Sequence, residues 1–405
     1  MNFGQSSDRI CIIGAGIGGL TLQIALRARG IESVIFEQAR ELTEIGAAVS
    51  LSANATRLLI GFGLGSELAA VSTEPSELIF RRWDDARRLW AYPVGNDRAY
   101  RKEFGAPHYG VHRQDLQQIL LKACDLGCIR FGRRLTGLRT ESNHVRLEFS
   151  NGATERASLV VGADGIRSVV RKHISGHDDT IFSGTTGFRG LAPRERLPSL
   201  PDPEAIQFWV GPGAHLLHYA IGHNAQHINI LGVVEGPQRW PNHERWRDDV
   251  FGEDILTRFA DWHPAALELC RALAQREGWG LFAVGPLRHW SNGPIVLIGD
   301  AAHGMLPHQG QGANQTIEDA VTLAGIIANP PAESIVESLM VYEKLRKPRT
   351  RRVQKYSWKA NRALHLFDGP AARQRDSRLH SLPKAIRWIH GHKAELSIPD
   401  RYEFA

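Results

Sequence analysis

Cysteine is scarce in this chain of 405 residues: there are four, Cys11, Cys124, Cys128 and Cys270. None forms a Cys-x-x-Cys pair, which argues against a zinc spacing or a dense disulfide framework. Cys11 lies inside an apolar run, so buried, reduced thiols are expected and no metal site is assigned. A long apolar segment is also missing. The stretch Met1–Arg9 is polar, and Ile10–Ile13 is far too short for a signal core or a membrane span. Internal repeats, low-complexity tracts and a second glycine-rich nucleotide turn are absent too. The expected setting is cytoplasmic, with no membrane partner.

What is present is ordinary globular composition, 42% hydrophobic and 23% charged residues. The length predicts two or three intertwined units. A net charge of +6 invites a nucleic-acid reading, but the basic residues are mostly scattered. The densest run, Arg346–Arg352, interrupts a helical stretch and reads as a solvated or phosphate-proximal face, so no nucleic-acid partner is expected. A modest positive field suits an anionic substrate and a nicotinamide dinucleotide.

The strongest local pattern lies in the first fifty residues. Arg9–Ile13 reads as a buried parallel strand, Gly14-Ala-Gly-Ile-Gly-Gly19 follows, Thr21–Arg29 has helical spacing, and Ser33–Phe36 is a second strand ending on Glu37. This β-α-β context gives the glycine motif its meaning. Gly14 permits the tight turn, Gly16 lets a pyrophosphate approach the backbone, and Gly19 lets helix and strand pack closely. The helix N-terminus offers N–H groups to phosphate, and Glu37 would accept from ribose hydroxyls. Residues 145–149 and 206–234 alternate like antiparallel strands and look like a separate, inserted sheet, with Pro-rich turns at 193–203 and 236–241. Pro294–Ile298 returns to the parallel style, followed by a helix near 314–328 and a mostly helical stretch over 335–395.

Two further strand–turn–helix motifs follow the first: Leu159-Val-Val-Gly-Ala-Asp-Gly-Ile-Arg-Ser168 and Val296-Leu-Ile-Gly-Asp-Ala-Ala-His303, the latter continuing through Pro307-His-Gln-Gly-Gln-Gly-Ala-Asn314 and Glu318-Asp-Ala320. Taken singly, each could be a strand with an Asp cap on the next helix. With the segments Glu44–Val49, His112–Leu116 and Phe182–Gly190, the ordered set resembles the group A flavoprotein monooxygenases. These aromatic hydroxylases are typified by salicylate hydroxylase, 3-hydroxybenzoate 6-hydroxylase and 6-hydroxynicotinate 3-monooxygenase. The resemblance covers nearly the whole chain and is more specific for FAD than for the substrate.

The resemblance implies an α/β fold: a Rossmann-type FAD-binding domain with an inserted antiparallel-sheet substrate domain and a helical C-terminus. The expected division is 1–75, 105–178 and 285–360 for FAD, 76–104 and 179–284 for the substrate sheet, and 361–405 for the C-terminal segment. It implies cofactor contacts from Gly14, Gly16, Gly19 and Glu37, from Ala48 and Val49, from Arg113, and from Asp164, which the family links to flavin and nicotinamide binding. Asp300 would hold the ribitol side, and Gly310, Gly312, Ala313 and Asn314 would wrap the isoalloxazine edge at a helix N-terminus.

On the substrate side, period-two spacing puts His215, Leu217, Tyr219 and Ile221 on one face of a strand and His218 on the other. His215 and Tyr219 match substrate-pocket positions of the family, or are ordinary sheet residues with satisfied tips. His308 matches a position beside substrate and flavin. With an ordinary histidine pKa near 6.5 it would accept a phenol proton. His303 reads as a loop organiser, and Arg189 as a candidate for a substrate carboxylate.

The implied activity uses FAD, NADH or NADPH, and O2 to hydroxylate a small hydroxylated aromatic acid, salicylate-like or hydroxynicotinate-like, through a C4a-hydroperoxyflavin. The alternatives are a flavin oxidoreductase that does not hydroxylate, a non-catalytic flavin-binding protein, and a hydroxylase of a purine or larger natural-product ring. Monomer and homodimer both stay open.

Overall fold

Strand Ile10–Ile13 is buried at every position, as an apolar run between two layers must be. It pairs in parallel with Ser33–Phe36 on one side and Leu159–Gly162 on the other. The computed structural model describes residues 9–42, 48–95, 98–142, 144–237, 239–240, 247–248, 255–273 and 278–398. Residues 44–47 of the Glu44–Val49 segment, 238 and 241 of the second Pro-rich turn, and 399–405 of the C-terminal segment lie outside them. The sheet has six strands in the spatial order 291–292, 295–297, 159–162, 10–13, 33–36, 129–130. All are parallel except Ser291–Asn292, which forms a hairpin with Ile295–Leu297. Each of the three motif turns therefore leaves the same carboxyl edge of adjacent strands, where open α/β sheets bind ligands.

The first helix runs Ile17–Arg27, starting four residues before the expected Thr21. Gly18 and Gly19 belong to its first turn and not to the loop. A second sheet has eight strands in the order 247–248, 278–284, 180–193, 227–235, 214–221, 206–211, 77–82, 88–93. It is antiparallel except where Ile206–Gly211 runs parallel to Glu77–Arg82. The strand Val145–Phe149 is not part of it. It sits in a three-stranded meander with Leu135–Thr140 and Thr154–Ala157. Alternation fixes which face is buried but not which sheet a strand joins. A further small sheet pairs Tyr109–His112 with Ala48–Leu51 and Ser72–Thr73.

The helix Gly312–Ala328 and the long helix Ile335–Ala363 close the parallel sheet. The long helix starts at a capping box, with Ser334 Oγ accepting from Glu337 N–H and the Glu337 carboxylate accepting from Ser334 N–H. The basic run Arg346–Arg352 does not interrupt this helix and is only in part a solvated face, with Arg352 exposed. Arg346 and Arg349 are buried, because two carboxylates on the facing helix need partners. Arg346 donates to Glu318 at 2.5 Å and to Asp319 at 2.6 Å, and Arg349 donates to both oxygens of Glu318 at 2.7 Å. Burial alone would raise the Glu318 carboxyl; the two guanidiniums outweigh it and hold the group at about 2.

Cys11, Cys124 and Cys270 are buried free thiols, whereas Cys128 is half-buried beside Asp125. No described helix is long and apolar enough to cross a membrane.

Arg346→Met should lower the unfolding free energy by about 3–5 kcal/mol, since it takes from two buried carboxylates the cation they share. The urea midpoint of the cofactor-free protein checks this, and a loss below 1 kcal/mol would mean that water already reaches the cluster.

Candidate active site

The carboxyl edge of the parallel sheet opens into a cleft of about 620 Å³ lined by Gly14, Gly16, Glu37, Arg113, Asp164 and their neighbours. The glycine turn explains its shape. Gly14 has φ +107°, and a Cβ on Gly19 would lie 1.9 Å from the Gly14 carbonyl oxygen. A Cβ on Gly16 would meet nothing within 4 Å, so that backbone faces open space. Glu37 locks the turn: its carboxylate accepts from Ala15 N–H at 2.7 Å and from Ala39 N–H at 2.8 Å. Four arginines, Arg113, Arg133, Arg134 and Arg167, line the cleft. Bare backbone, an anchored carboxylate and cationic walls fit the adenosine diphosphate half of FAD.

Asp164 spends its carboxylate on the next helix. It accepts from Ser168 Oγ at 2.6 Å, Val169 N–H at 2.8 Å and Val170 N–H at 3.2 Å, and burial raises its pKa in spite of them. Asp300 is exposed, and its carboxylate makes no hydrogen bond among the described residues. Its Oδ1 lies 3.9 Å from where a Gly312 Cβ would stand. Arg189 is exposed on the same side, where burial by surrounding atoms and Arg113 lower its pKa and Tyr219 and Asp300 oppose that.

Ala48 and Val49 are half-buried on the strand Ala48–Leu51, and Ala313 packs against the core in the first turn of helix Gly312–Ala328. Asn314 does not present its side chain to the cleft. The amide is fully buried, accepts from Ser52 N–H at 2.8 Å, and donates to Ser50 O and Gly310 O at 2.8 and 2.7 Å. It pins the Gly310 loop, whose residue 310 has φ +59°, to the strand Ala48–Leu51. His303 organises its turn as expected, 2.5 Å from Asp319.

A second cavity, of about 100 Å³, lies between the loop Gln309–Gln311 and the eight-stranded sheet. Its apolar wall includes Leu78, Phe80, Phe208 and Leu217, with Phe80 and Phe208 stacked at 5.0 Å. His308 and Tyr219 line it, and His215 stands directly behind, 5.1 Å from His308 ring to ring. His218 faces the other way and accepts from the Trp209 indole at 3.0 Å. His215 Nδ1 lies 2.7 Å from Nε2 of His365, a residue that no motif marks. Among the described residues Nε2 of His215 has no hydrogen-bond partner, and the ring nitrogens of His308 have none of ordinary geometry, Asn361 being the polar side chain beside them. Buried polar atoms left unpaired in a cavity wall are what a ligand site provides.

The imidazoles are not the near-neutral bases expected from the sequence. Burial, reinforced by His365, holds His308 down at about 3, with Asn361 opposing; burial and then its neighbours His365 and His308 hold His215 well below its usual value. Both are neutral proton acceptors in the ligand-free cavity. Burial also pushes the Tyr219 phenol well up, so it remains a protonated donor. Among the lining residues there is no lysine or arginine, so the positive net charge of the chain does not reach the pocket.

Sequence reasoning missed a second polar group lining this cavity, Ser50, Tyr100, His108 and His390. They come from four separate elements, and only the polar-aromatic character of Tyr100 and His108 beside an apolar segment could have marked them.

The chain matches the family model described as "FAD binding domain" over residues 8–357. It is 35% identical over 403 residues to the 3-amino-4-hydroxybenzoate 2-monooxygenase of Streptomyces cremeus, covering 98% of each chain. It is 32% identical to a salicylate hydroxylase of Pseudomonas putida, over 97% of this chain and 94% of that one. Among solved structures, a salicylate hydroxylase substrate complex superposes with a TM-score of 0.83 at 27% identity, covering 97% of this chain and 98% of the other.

Two outcomes separate cofactor space from fold. Gly16→Val should leave the protein folded but strip most of its bound flavin, read as the absorbance ratio of purified protein. Gly19→Ala should instead destabilise the cofactor-free fold, because its Cβ has nowhere to go. Equal loss of flavin with equal stability in both variants would contradict the geometry.

The buried imidazoles also set an acid limit. His108, His215, His218, His308, His365 and His390 all have pKa values lowered chiefly by burial from 6.5. Each is neutral when folded and gains a proton on unfolding below that value. The stability from their burial is therefore complete above pH 6.5 and falls as pH drops toward 4, by about 1.4 kcal/mol per pH unit for each proton. Urea midpoints of the cofactor-free protein between those limits measure the slope; a flat profile would mean the native state already holds these protons.

Proposed function

Because the chain belongs to the FAD binding domain family, we propose that it is an FAD-dependent monooxygenase that uses NAD(P)H and O2 to hydroxylate a small hydroxylated aromatic acid. The observation that carries this reading is the one-ring cavity beside the Gln309–Gln311 loop, lined by His308 and Tyr219, in a chain that also forms the glycine-turn cleft. A space of about 100 Å³ suits a single ring and not a larger scaffold. The names of the relatives support the same substrate class.

In this reading residues 1–75, 105–178 and 285–360 hold FAD, 76–104 and 179–284 form the substrate sheet, and 361–405 is the C-terminal helical segment. The glycine turn, Glu37 and Arg113 hold the adenosine diphosphate half. Asp300 and the backbone of Gly310–Asn314 serve the flavin half, with Asp164 and Asn314 acting by fixing the turns around it. FAD, when bound, supplies the electron transfer from NAD(P)H and the activation of O2. The chain does the rest. The N-terminus of helix Gly312–Ala328 favours negative charge at its mouth by about 1 kcal/mol. Phe80, Phe208 and Leu217 keep water from the ring. Tyr219 donates to a ring substituent, and His308, neutral, accepts the phenol proton at a ring nitrogen. An anionic ring in the cavity strengthens His308 as a base, since nearby negative charge favours imidazolium. The proposed setting is the cytoplasm, as monomer or homodimer.

The purified protein should carry about one FAD per chain, oxidise NAD(P)H slowly alone, and do so rapidly with a hydroxylated aromatic acid, O2 uptake matching hydroxylated product. Reduction of the flavin by the aromatic compound itself, with no nicotinamide, would overturn the reading. His308→Ala should retain FAD and its reduction, yet lose about 10²–10⁴ in hydroxylation with H2O2 released instead. His215→Ala should raise KM more than it lowers kcat.

A further inference from the structure

The cavity has two groups of polar side chains, and the reading above uses one. The other is built around Tyr100, whose hydroxyl accepts from Ala53 N–H at 3.0 Å and lies 2.8 Å from His390 Nδ1. The phenol oxygen already accepts from Ala53, so its own proton is paired only if it donates to His390 Nδ1. Neutral His390 then carries its proton on Nε2, a donor with no partner among the described residues. His108 is tied to Ser50 Oγ through Nε2 at 2.7 Å, which leaves Nδ1 uncommitted. The two imidazole rings stand 5.8 Å apart, with Tyr100 5.5 and 5.8 Å from them.

A ring carboxylate entering this cavity meets no lysine or arginine on its walls. A charge taken into such surroundings has to be neutralised, and the side chains there that can become cationic are histidines. The reading above assigns the hydroxyl-bearing edge of the ring to His308, which leaves His108 and His390 as the other histidines lining the cavity. We propose that His108 and His390 form the carboxylate-recognition part of the pocket, and that one of them takes up a proton as an aromatic acid binds. This rests on the aromatic-acid reading above.

The proton comes from solvent and ends on an imidazole nitrogen; no covalent bond within the ligand changes. Before binding, burial holds His108 neutral, at about 4, and holds His390 neutral, with His108 and Arg349 reinforcing burial and Glu318 opposing. The other titratable or charged groups facing the pair are Tyr100 between them, Arg57 and Glu103 behind Tyr100, and Tyr92, Tyr219 and His308 around the cavity. None of these supplies a permanent positive charge inside the pocket, so a carboxylate is the new charge that shifts the balance toward imidazolium.

The test is calorimetry on the FAD-loaded, oxidised protein without nicotinamide, in two buffers of different ionisation heat. The probes are 3-amino-4-hydroxybenzoate and its carboxylate-free counterpart, 2-aminophenol. The acid should bind with uptake of about one proton, and its Kd should rise about tenfold per pH unit above neutrality. The phenol should bind with no uptake and no such slope. Replacing His108→Gln and His390→Gln together should abolish the uptake and weaken the acid about 10- to 100-fold, while 2-aminophenol still perturbs the flavin spectrum; each single variant is the fallback if the pair does not fold. Binding of the acid to the wild type without proton uptake would overturn the proposal, as would uptake that survives in the double variant and disappears in His308→Gln. Failure of every aromatic acid to bind, with neutral rings still stimulating NAD(P)H oxidation, would instead remove the aromatic-acid reading, and this proposal with it.

Discussion

The buried charge cluster of Glu318, Asp319, Arg346 and Arg349 is the constraint on which the site depends. Asp319 accepts from Gly299 N–H at 2.8 Å as well as from His303 and Arg346, so one carboxylate fixes the Gly299–Asp300 turn, the next loop and the long helix. Glu318 accepts from Asn54 at 2.6 Å and from both arginines, joining the strand region near Ser52 to the same point. The helix whose N-terminus meets the pocket is thus held from three sides. Charges buried this deeply are costly unless all are paired, and here the pairing sets the position of Gly310–Gly312 relative to both cavities.

Patterns that repeat within a few residues were legible in the sequence. The β-α-β unit, the three strand–turn–helix motifs and the face shared by His215, Leu217 and Tyr219 each rest on spacing within one element, and the structure forms these elements with small shifts at their ends. Arg346–Arg352 misled because its charge density suggested solvent, while the partners that bury it lie on another helix and were visible only as acidic residues in a motif. Val145–Phe149 misled for a related reason, since alternation carries no information about the neighbouring strand.

The pocket was legible on one side. His308 lies in a motif and Tyr219 in a strand whose spacing shows its face, whereas Ser50, Tyr100, His108 and His390 meet only because the strand Ala48–Leu51, the segment leading into Tyr109–His112 and the helix Leu382–His390 converge on the cavity. The near-neutral pKa expected for His308 failed for a similar reason: a pKa depends on the dielectric around the group, and that is a property of the packed cavity and not of the residue.

The order of strands in the parallel sheet bears on how the chain is made. Ile10–Ile13 is synthesised first, but its neighbour Leu159–Gly162 comes about 150 residues later, and Ile295–Leu297 later still. At about 5–20 residues per second, the first strand waits on the order of 15–60 s after its synthesis before the third motif emerges. During that interval the residues lining the nucleotide cleft, the last of them Val169, are already made, but the parallel sheet still lacks the strand Ile295–Leu297. The eight-stranded sheet is largely complete by then, so the emerging chain is an assembled antiparallel layer with an open, apolar parallel edge. Expression yield of this protein should therefore respond to translation speed and chaperone supply.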